Sequence, residues 1–199
     1  MTDPAADSTG HDGPGGPDEA TALAGTRLWL ERAVIGLNLC PFAKAVYVKD
    51  QVRLVFSDAT TPEQLIEQLG EELLHLRDTP AAQTDTTLLV HPYVLGDFLD
   101  YNDFLDQADA LVEALELDGV LQVASFHPHY QFADSHPDDI ENYSNRAPYP
   151  TLHLLREDSV SRAVEAYPEA DIIVERNYAT LRGLGHDGWK ALFPAARDS

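Results

Sequence analysis

Segments with the apolar period of an α-helix alternate along this chain with short apolar runs that are typical of strands. The predicted helices cover residues 20–39, 61–78, 100–117, 159–167 and 172–181, and the predicted strands cover residues 52–56, 86–90, 120–126 and 150–155. This alternation predicts an α/β or α+β fold, in which helices cover a sheet of about four short strands. A partly parallel sheet and a ferredoxin-like arrangement are both compatible with the pattern.

The ends of two predicted helices carry recognisable signals. Thr61 can cap the second helix, Pro62 suits its first turn, and Gln64 completes a capping box three residues after the cap. Gly183 and Gly185 are expected to end the last helix, because glycine is the usual residue just after a helix C-terminus.

The first 19 residues differ in composition from the rest of the chain. They are rich in Gly, Pro and Asp, contain no Lys or Arg, and have no apolar period. Such a segment cannot bury enough apolar surface to offset the entropy of ordering it. We therefore predict a disordered acidic tail over residues 1–19 and a single α/β domain over residues 20–199.

The charge of the chain argues against two classes of partner. It carries 34 Asp and Glu against 13 Lys and Arg, a formal net charge of -21. Such a charge repels the phosphates of nucleic acids and of anionic membranes, and no run of basic residues interrupts it. We expect neither a nucleic-acid partner nor a membrane partner.

The sequence also favours a reducing compartment. Cys40 is the single cysteine, so an intramolecular disulfide or a Cys-rich zinc site is excluded. Its predicted place at the end of a helix favours a buried thiol over a reactive thiolate. The N-terminus lacks the pattern of a signal peptide, and no apolar stretch is long enough to span a membrane. These features predict a cytoplasmic protein.

Two predicted strands end in the same way. One runs into His91 and a proline, and the other into His127 and a proline, with His129 two residues further on. Proline ends each strand because it lacks the N–H that would extend the ladder. If the two strands are parallel neighbours, their histidines meet at the carboxyl edge of the sheet, where open α/β sheets bind ligands.

Three chemical interpretations of these histidines stay open. His91, His127 and His129 can bind Zn or Fe, with a further ligand from Asp134, His136 or Glu141. Alternatively, His127 and His129 can act as catalytic acid–base groups without a metal. In the third interpretation the rings are structural and form hydrogen bonds with the backbone.

The segment from residue 127 to residue 150 is a long connection that is rich in aromatic residues, a composition that argues for order and for function. We identify Asn142, Tyr143, Arg146 and Arg156 as candidate substrate-binding residues. Paired guanidinium groups suit an anionic small molecule, although both arginines can equally pair with the many carboxylates. His153 follows in the next strand, on the opposite face from Leu152 and its neighbours, as a core residue or a supporting member of the site.

Several segments together carry a family resemblance. They are Trp29–Glu31, Ile35–Ala43, Phe126–Pro128 with Tyr130 and Phe132, Asn142–Tyr143 with Asn145–Arg146, Leu152–Glu157, Glu175–Asn177 and Gly185–Trp189. In these segments the chain resembles an uncharacterised bacterial family catalogued as domain of unknown function 1415. The resemblance implies a bacterial cytoplasmic protein. The family has no established activity, so no catalytic residues are carried over from it.

Two functional hypotheses follow. The leading one is a small-molecule enzyme with a His-rich site at the strand ends, metal-dependent or acid–base, that acts on an anionic substrate. The alternative is a non-catalytic binding or regulatory module that docks a protein partner through its acidic faces or its aromatic loop. The second hypothesis predicts an exposed apolar patch rather than a closed pocket.

Overall fold

The computed structural model describes residues 16–167 and 172–193. The elements follow in the order α1 (Glu19–Trp29), a π-helical segment (Leu30–Ile35), α2 (Ala43–Tyr47), β1 (Val52–Phe56), α3 (Pro62–Asp78), β2 (Thr86–Val90), α4 (Phe98–Ala114), β3 (Leu121–Phe126), a 3₁₀ helix (Ile140–Ser144), β4 (Thr151–Arg156), α5 (Glu157–Glu165) and α6 (Ile173–Ala191). This content of helix and sheet confirms the predicted α/β or α+β class. Among the described helices, no span is both long and apolar enough to cross a lipid bilayer.

The predicted disordered tail falls largely outside the structure. Residues 1–15 lie outside the described residues. The end of the tail belongs to the fold, because the Asp18 side chain accepts the backbone N–H of Thr21 and so caps α1. In addition, the Pro17 carbonyl accepts a hydrogen bond from the hydroxyl of Tyr93. The prediction of disorder up to residue 19 was therefore wrong for Pro17, Asp18 and Glu19.

The four strands form one mixed sheet in the order β1-β2-β4-β3. β1 and β2 are parallel, whereas β4 is antiparallel to both β2 and β3. β2 and β3 run in the same direction, but they are not the parallel neighbours supposed from the sequence, because β4 lies between them. The succession β1-α3-β2-α4-β3-β4 also differs from the βαββαβ order of a ferredoxin-like fold.

The capping signals are found where the sequence places them, with one shift. The Thr61 hydroxyl accepts the backbone N–H of Gln64 at 3.3 Å and so caps α3. The Gln64 side chain accepts the N–H of Thr60 at 2.9 Å, one residue before the predicted partner in the capping box. α4 begins at Phe98, earlier than expected, because Asp97 accepts two backbone N–H groups at the helix start.

The last helix is interrupted at the second of the two glycines. α6 runs from Ile173 to Ala191, and Gly183 lies within it. Gly185 has a φ of 65°, a left-handed conformation that other residues rarely adopt, and it changes the direction of the helix. The expected helix end is therefore found at Gly185, where the first part of α6 stops, and apolar contacts of Trp189 with Tyr143 hold the second part in place.

The two faces of the sheet are covered differently. Leu89, Leu152 and Leu154 point to one face and pack in a buried cluster with α3 and α4. Leu88 and Phe126 point to the other face, where a smaller cluster forms with α1 and the π-helical segment. This alternation follows from the two-residue period of a strand. The second face is only partly covered by helices, and the candidate site lies there.

Candidate functional site

His91 and His127 lie at the same edge of the sheet, even though β4 separates their strands. The strand residues just before them both pair with Thr151 of β4, one from each side. The two backbones are therefore two strand spacings apart, about 10 Å. Both imidazoles contact the ring of Tyr101, with centroid distances of 5.8 and 5.0 Å.

His127 is fully buried, and both of its ring nitrogens have backbone partners. Nε2 lies 3.1 Å from the carbonyl oxygen of Leu95, and Nδ1 lies 3.0 Å from the backbone nitrogen of His129. A carbonyl can only accept and an amide N–H can only donate, so the proton of the neutral ring is on Nε2. Burial lowers the pKa of His127 below its ordinary value. The ring thus has no free lone pair for a metal ion.

His91 is also fully buried. Its Nδ1 donates to the carbonyl oxygen of Val94 at 3.2 Å, and its ring stacks against Tyr101. Its Nε2 is buried and forms no hydrogen bond with the described residues. Burial lowers the pKa of this imidazole to about 4, so the ring is neutral at physiological pH. This geometry is that of a core histidine with one unsatisfied nitrogen.

The predicted metal site is not assembled in the part of the chain that the structure describes. No group of three or more His, Cys, Asp or Glu side chains there is placed to hold a metal ion. His129 is exposed, with its ring centroid 5.9 Å from that of His127. His136 is exposed beside Asp138, and Glu141 pairs with Arg182. Asp134 is also exposed, and the partners of His136 and Glu141 lie outside the buried pair.

Asn142 organises the loop that the sequence identified as a site wall. Its side chain is fully buried, and its Oδ1 accepts hydrogen bonds from the backbone of Phe132 and the hydroxyl of Ser135. Its Nδ2 donates to the carbonyl oxygen of His136 at 2.8 Å. All these partners belong to the loop itself, so Asn142 holds the loop together.

The two candidate arginines bind backbone carbonyls. Arg146 donates to the carbonyl oxygens of Tyr130 and Pro137 and lies 4.4 Å over the ring of Tyr143. Arg156 donates through Nε and Nη2 to three carbonyl oxygens. One belongs to Leu76 in the last turn of α3, and the others belong to Thr79 and Thr84 after the helix. An anion at either arginine would use only those N–H groups that the carbonyls leave free.

The aromatic residues of the loop are half-buried and pack on the domain. The ring of Tyr130 lies 5.1 Å from Phe98 and 5.1 Å from Phe132, and Tyr143 lies 5.1 Å from Trp189. These contacts make the loop an ordered part of the structure, as its composition predicted. The docking of a protein partner on this loop stays a prediction.

A cavity of about 550 Å³ lies against the second face of the sheet. Side chains of all four strands line it, and α5 and the segment that begins at Cys40 complete its walls. The lining is largely apolar, as Leu88, Ala124 and Phe126 illustrate. None of the residues of α5 is buried, although Val160 and Ala163 face this cavity.

His153 lies in the middle of the sheet on the cavity side. It pairs with Leu88 of β2 on one side and Ala124 of β3 on the other. As predicted, it faces away from Leu152 and Leu154. Its Nε2 lies 2.7 Å from the hydroxyl of Thr86, and burial lowers the pKa of the imidazole to about 4. His153 therefore brings a neutral polar group to an apolar cavity.

Cys40 lies where the large cavity meets a smaller one. The smaller cavity, of about 280 Å³, shares Val34, Cys40 and Phe126 with the large one and adds Asn145 and Asn177. Burial raises the pKa of the Cys40 thiol, and the backbone N–H groups of Phe42 and Ala43 lower it by a smaller amount. The thiol is therefore protonated at neutral pH, in agreement with the predicted buried role.

Sequence reasoning missed the large cavity, although one signal for it exists. Alternation along β2 and β4 places Thr86 and His153 on the same face of the sheet, among aliphatic residues. Two polar side chains on an otherwise apolar strand face indicate a polar pair in need of a partner. Their pairing became visible only with the strand order, because the two residues are 67 positions apart.

The chain was compared with known proteins at the level of families, curated sequences and solved structures. It matches a family model described as a protein of unknown function (DUF1415) over residues 21–191. The comparisons with curated proteins and with solved structures give no match. The family match spans the complete described sheet and the residues that line both cavities. The chain therefore belongs to the DUF1415 family.

Proposed function

We propose that this protein binds a small, largely apolar molecule in the large cavity on the second face of its sheet. The observation that carries the proposal is an apolar cavity of about 550 Å³ with the His153–Thr86 pair on its sheet side. Ligand sites in proteins have volumes of about 300–1,000 Å³ and combine apolar linings with a few placed polar groups. This cavity has the size and the lining of such a site.

The packing of α5 supports the proposal. α5 has no buried residue, yet Val160 and Ala163 point to the cavity. Protein interiors normally fill such space with side chains, because an empty volume forfeits dispersion contacts. A bound apolar molecule would supply contacts to these side chains and remove them from water.

The chemistry of His153 favours binding over proton abstraction. An efficient general base has a pKa near the working pH, whereas burial holds the pKa of His153 at about 4. A neutral imidazole is, however, a good hydrogen-bonding partner for a ligand. The enzymatic hypothesis for His127 and His129 stays a prediction, in which the exposed ring of His129 is the accessible group.

The proposal also covers the charge of the ligand and the location of the protein. An anionic substrate would bind near the free N–H groups of Arg156, which also lines the large cavity. Asp85 lines the same end of the cavity and accepts a hydrogen bond from Ser159, so the local charge is mixed. A neutral ligand is therefore the first expectation. The cytoplasmic location that the family resemblance implies is proposed with it.

A fluorescent apolar probe tests the proposal. N-phenyl-1-naphthylamine is expected to bind the wild-type protein saturably at one site, with the increase in emission that follows transfer to an apolar environment. Ala163→Trp fills the cavity from α5 and is expected to abolish this binding. Ser161→Trp places the same indole on the exposed side of α5 and is expected to leave binding unchanged.

Circular dichroism and thermal melting establish that both tryptophan variants are folded. Equal binding of the probe to Ala163→Trp and Ser161→Trp would place the probe outside the cavity. That result, or an absence of saturable binding to the wild type, would refute the proposal.

A further inference from the structure

The hydrogen bonds of Thr86 fix the position of the proton on His153. The Thr86 hydroxyl donates its single proton to the carbonyl oxygen of Leu154 at 2.7 Å. The same oxygen lies 2.7 Å from Nε2 of His153. Because the hydroxyl has already given its proton to a group that can only accept, it must accept from the imidazole. Nε2 therefore carries the ring proton, and Nδ1 carries a lone pair.

The lone pair on Nδ1 is available to a ligand. Within the residues that the structure describes, Nδ1 of His153 forms no hydrogen bond, and it is not among their buried unpaired atoms. His153 itself lines the large cavity. The ring thus presents an acceptor, and no donor, from the middle of the sheet. A ligand without a donor would leave this nitrogen unsatisfied and shielded from water, which costs free energy.

We propose that the ligand of the large cavity is an apolar molecule with a neutral hydrogen-bond donor, such as a hydroxyl group, that binds Nδ1 of His153. This inference rests on the proposed function and specifies its ligand class. A neutral donor is required, because a charged group would lose its hydration among apolar side chains such as Leu88 and Ala124. Ethers and hydrocarbons of the same shape would bind less well, because they donate nothing.

Three naphthalene probes separate the donor from the apolar body. These probes are 1-naphthol, 1-methoxynaphthalene and 1-methylnaphthalene, and their dissociation constants are measured by displacement of N-phenyl-1-naphthylamine. A net hydrogen bond corresponds to a factor of about 2–10 in affinity. We therefore expect the ratio of naphthol affinity to methoxynaphthalene affinity to be about fivefold higher in the wild type than in His153→Phe.

Thr86→Val tests the fixed tautomer. Without the Thr86 hydroxyl, the proton of His153 can move to Nδ1, and the cavity can then donate to the ether oxygen. We expect methoxynaphthalene to gain affinity relative to naphthol in this variant. Thr87→Val is the matched control, because Thr87 is the next residue of β2 and is absent from the residues that line the cavity. It is expected to retain the preference of the wild type.

The outcomes separate this inference from the proposed function. If methylnaphthalene binds and Ala163→Trp blocks it, but naphthol has no advantage that depends on His153, the cavity is a ligand site and the donor inference is wrong. An unchanged ratio in Thr86→Val would equally overturn the fixed tautomer. If none of the three probes binds the wild type, the proposed function fails and the inference fails with it.

Discussion

The edge of the sheet and its second face each contain histidines, but they differ in what their nitrogens bind. At the edge, His127 exchanges hydrogen bonds with the backbone of Leu95 and His129, so its bonding capacity is spent within the protein. On the second face, His153 donates a hydrogen bond from Nε2 to Thr86, and its Nδ1 remains free for a ligand in the cavity. A histidine is a candidate for function when a bonding position remains open, whatever its position in a motif.

The largest expected effect is a difference in stability between His127→Ala, at the edge of the sheet, and His153→Ala, on its second face. His127→Ala removes a buried ring that packs on Phe98 and Tyr101 and leaves the Leu95 carbonyl without its partner. We expect the free energy of unfolding to fall by about 4 kcal/mol. The ring of His153 lies against an existing cavity, so His153→Ala is expected to lower the free energy of unfolding by only about 1 kcal/mol.

Urea denaturation followed by circular dichroism measures both values on the same scale. If His153→Ala proved the more destabilising variant, His153 on the second face would be the histidine that stabilises the fold. The comparison between the two regions would then be wrong.

A second expected effect is the response of stability to pH. The pKa of His91 is about 4 in the folded protein, against about 6.5 for an exposed histidine in the unfolded chain. The unfolded chain therefore binds more protons between these values, so the stability present above pH 6.5 is lost as the pH falls to 4. His91 alone accounts for about 3 kcal/mol of this loss.

Denaturation of His91→Gln between pH 7 and pH 4.5 measures this contribution. The variant is expected to lose less stability than the wild type over this range, because glutamine does not titrate. His75→Gln, at an exposed position of α3, is the control and is expected to follow the wild type. Equal pH dependence in all three proteins would mean that His91 is not held neutral by burial.

The smallest expected effect is on metal content. The lone pairs that zinc or iron would need are used by backbone N–H groups or buried at the edge of the sheet. Elemental analysis of the purified, untagged protein is therefore expected to find zinc and iron well below one ion per chain. Stoichiometric metal that disappears in a His127→Ala, His129→Ala double variant would move the functional site to the edge and reverse the comparison.

Local signals predicted the elements of this fold better than their arrangement. The hydroxyl of Thr61 and the proline after it marked the start of α3, and apolar runs marked every strand. The place of β4 between β2 and β3 was not predictable, because pairing over tens of residues leaves no trace in local periodicity. The shared His-Pro ending of two strands correctly indicated that His91 and His127 lie at the same edge of the sheet. It carried no information about which ring nitrogens form hydrogen bonds with the backbone.

The late position of β4 in the chain has a consequence for how the protein folds. β4 follows the other three strands of the described sheet in the chain, yet it pairs residues 151–155 with residues 86–90 and also pairs with β3. A nascent chain that ends before residue 151 has an exposed edge on β2 and a β3 that lacks its partner. Contacts of such long sequence separation slow folding, because a large loop must close before they form. The sheet can therefore close only after β4 has been synthesised, and fragments that lack β4 should aggregate.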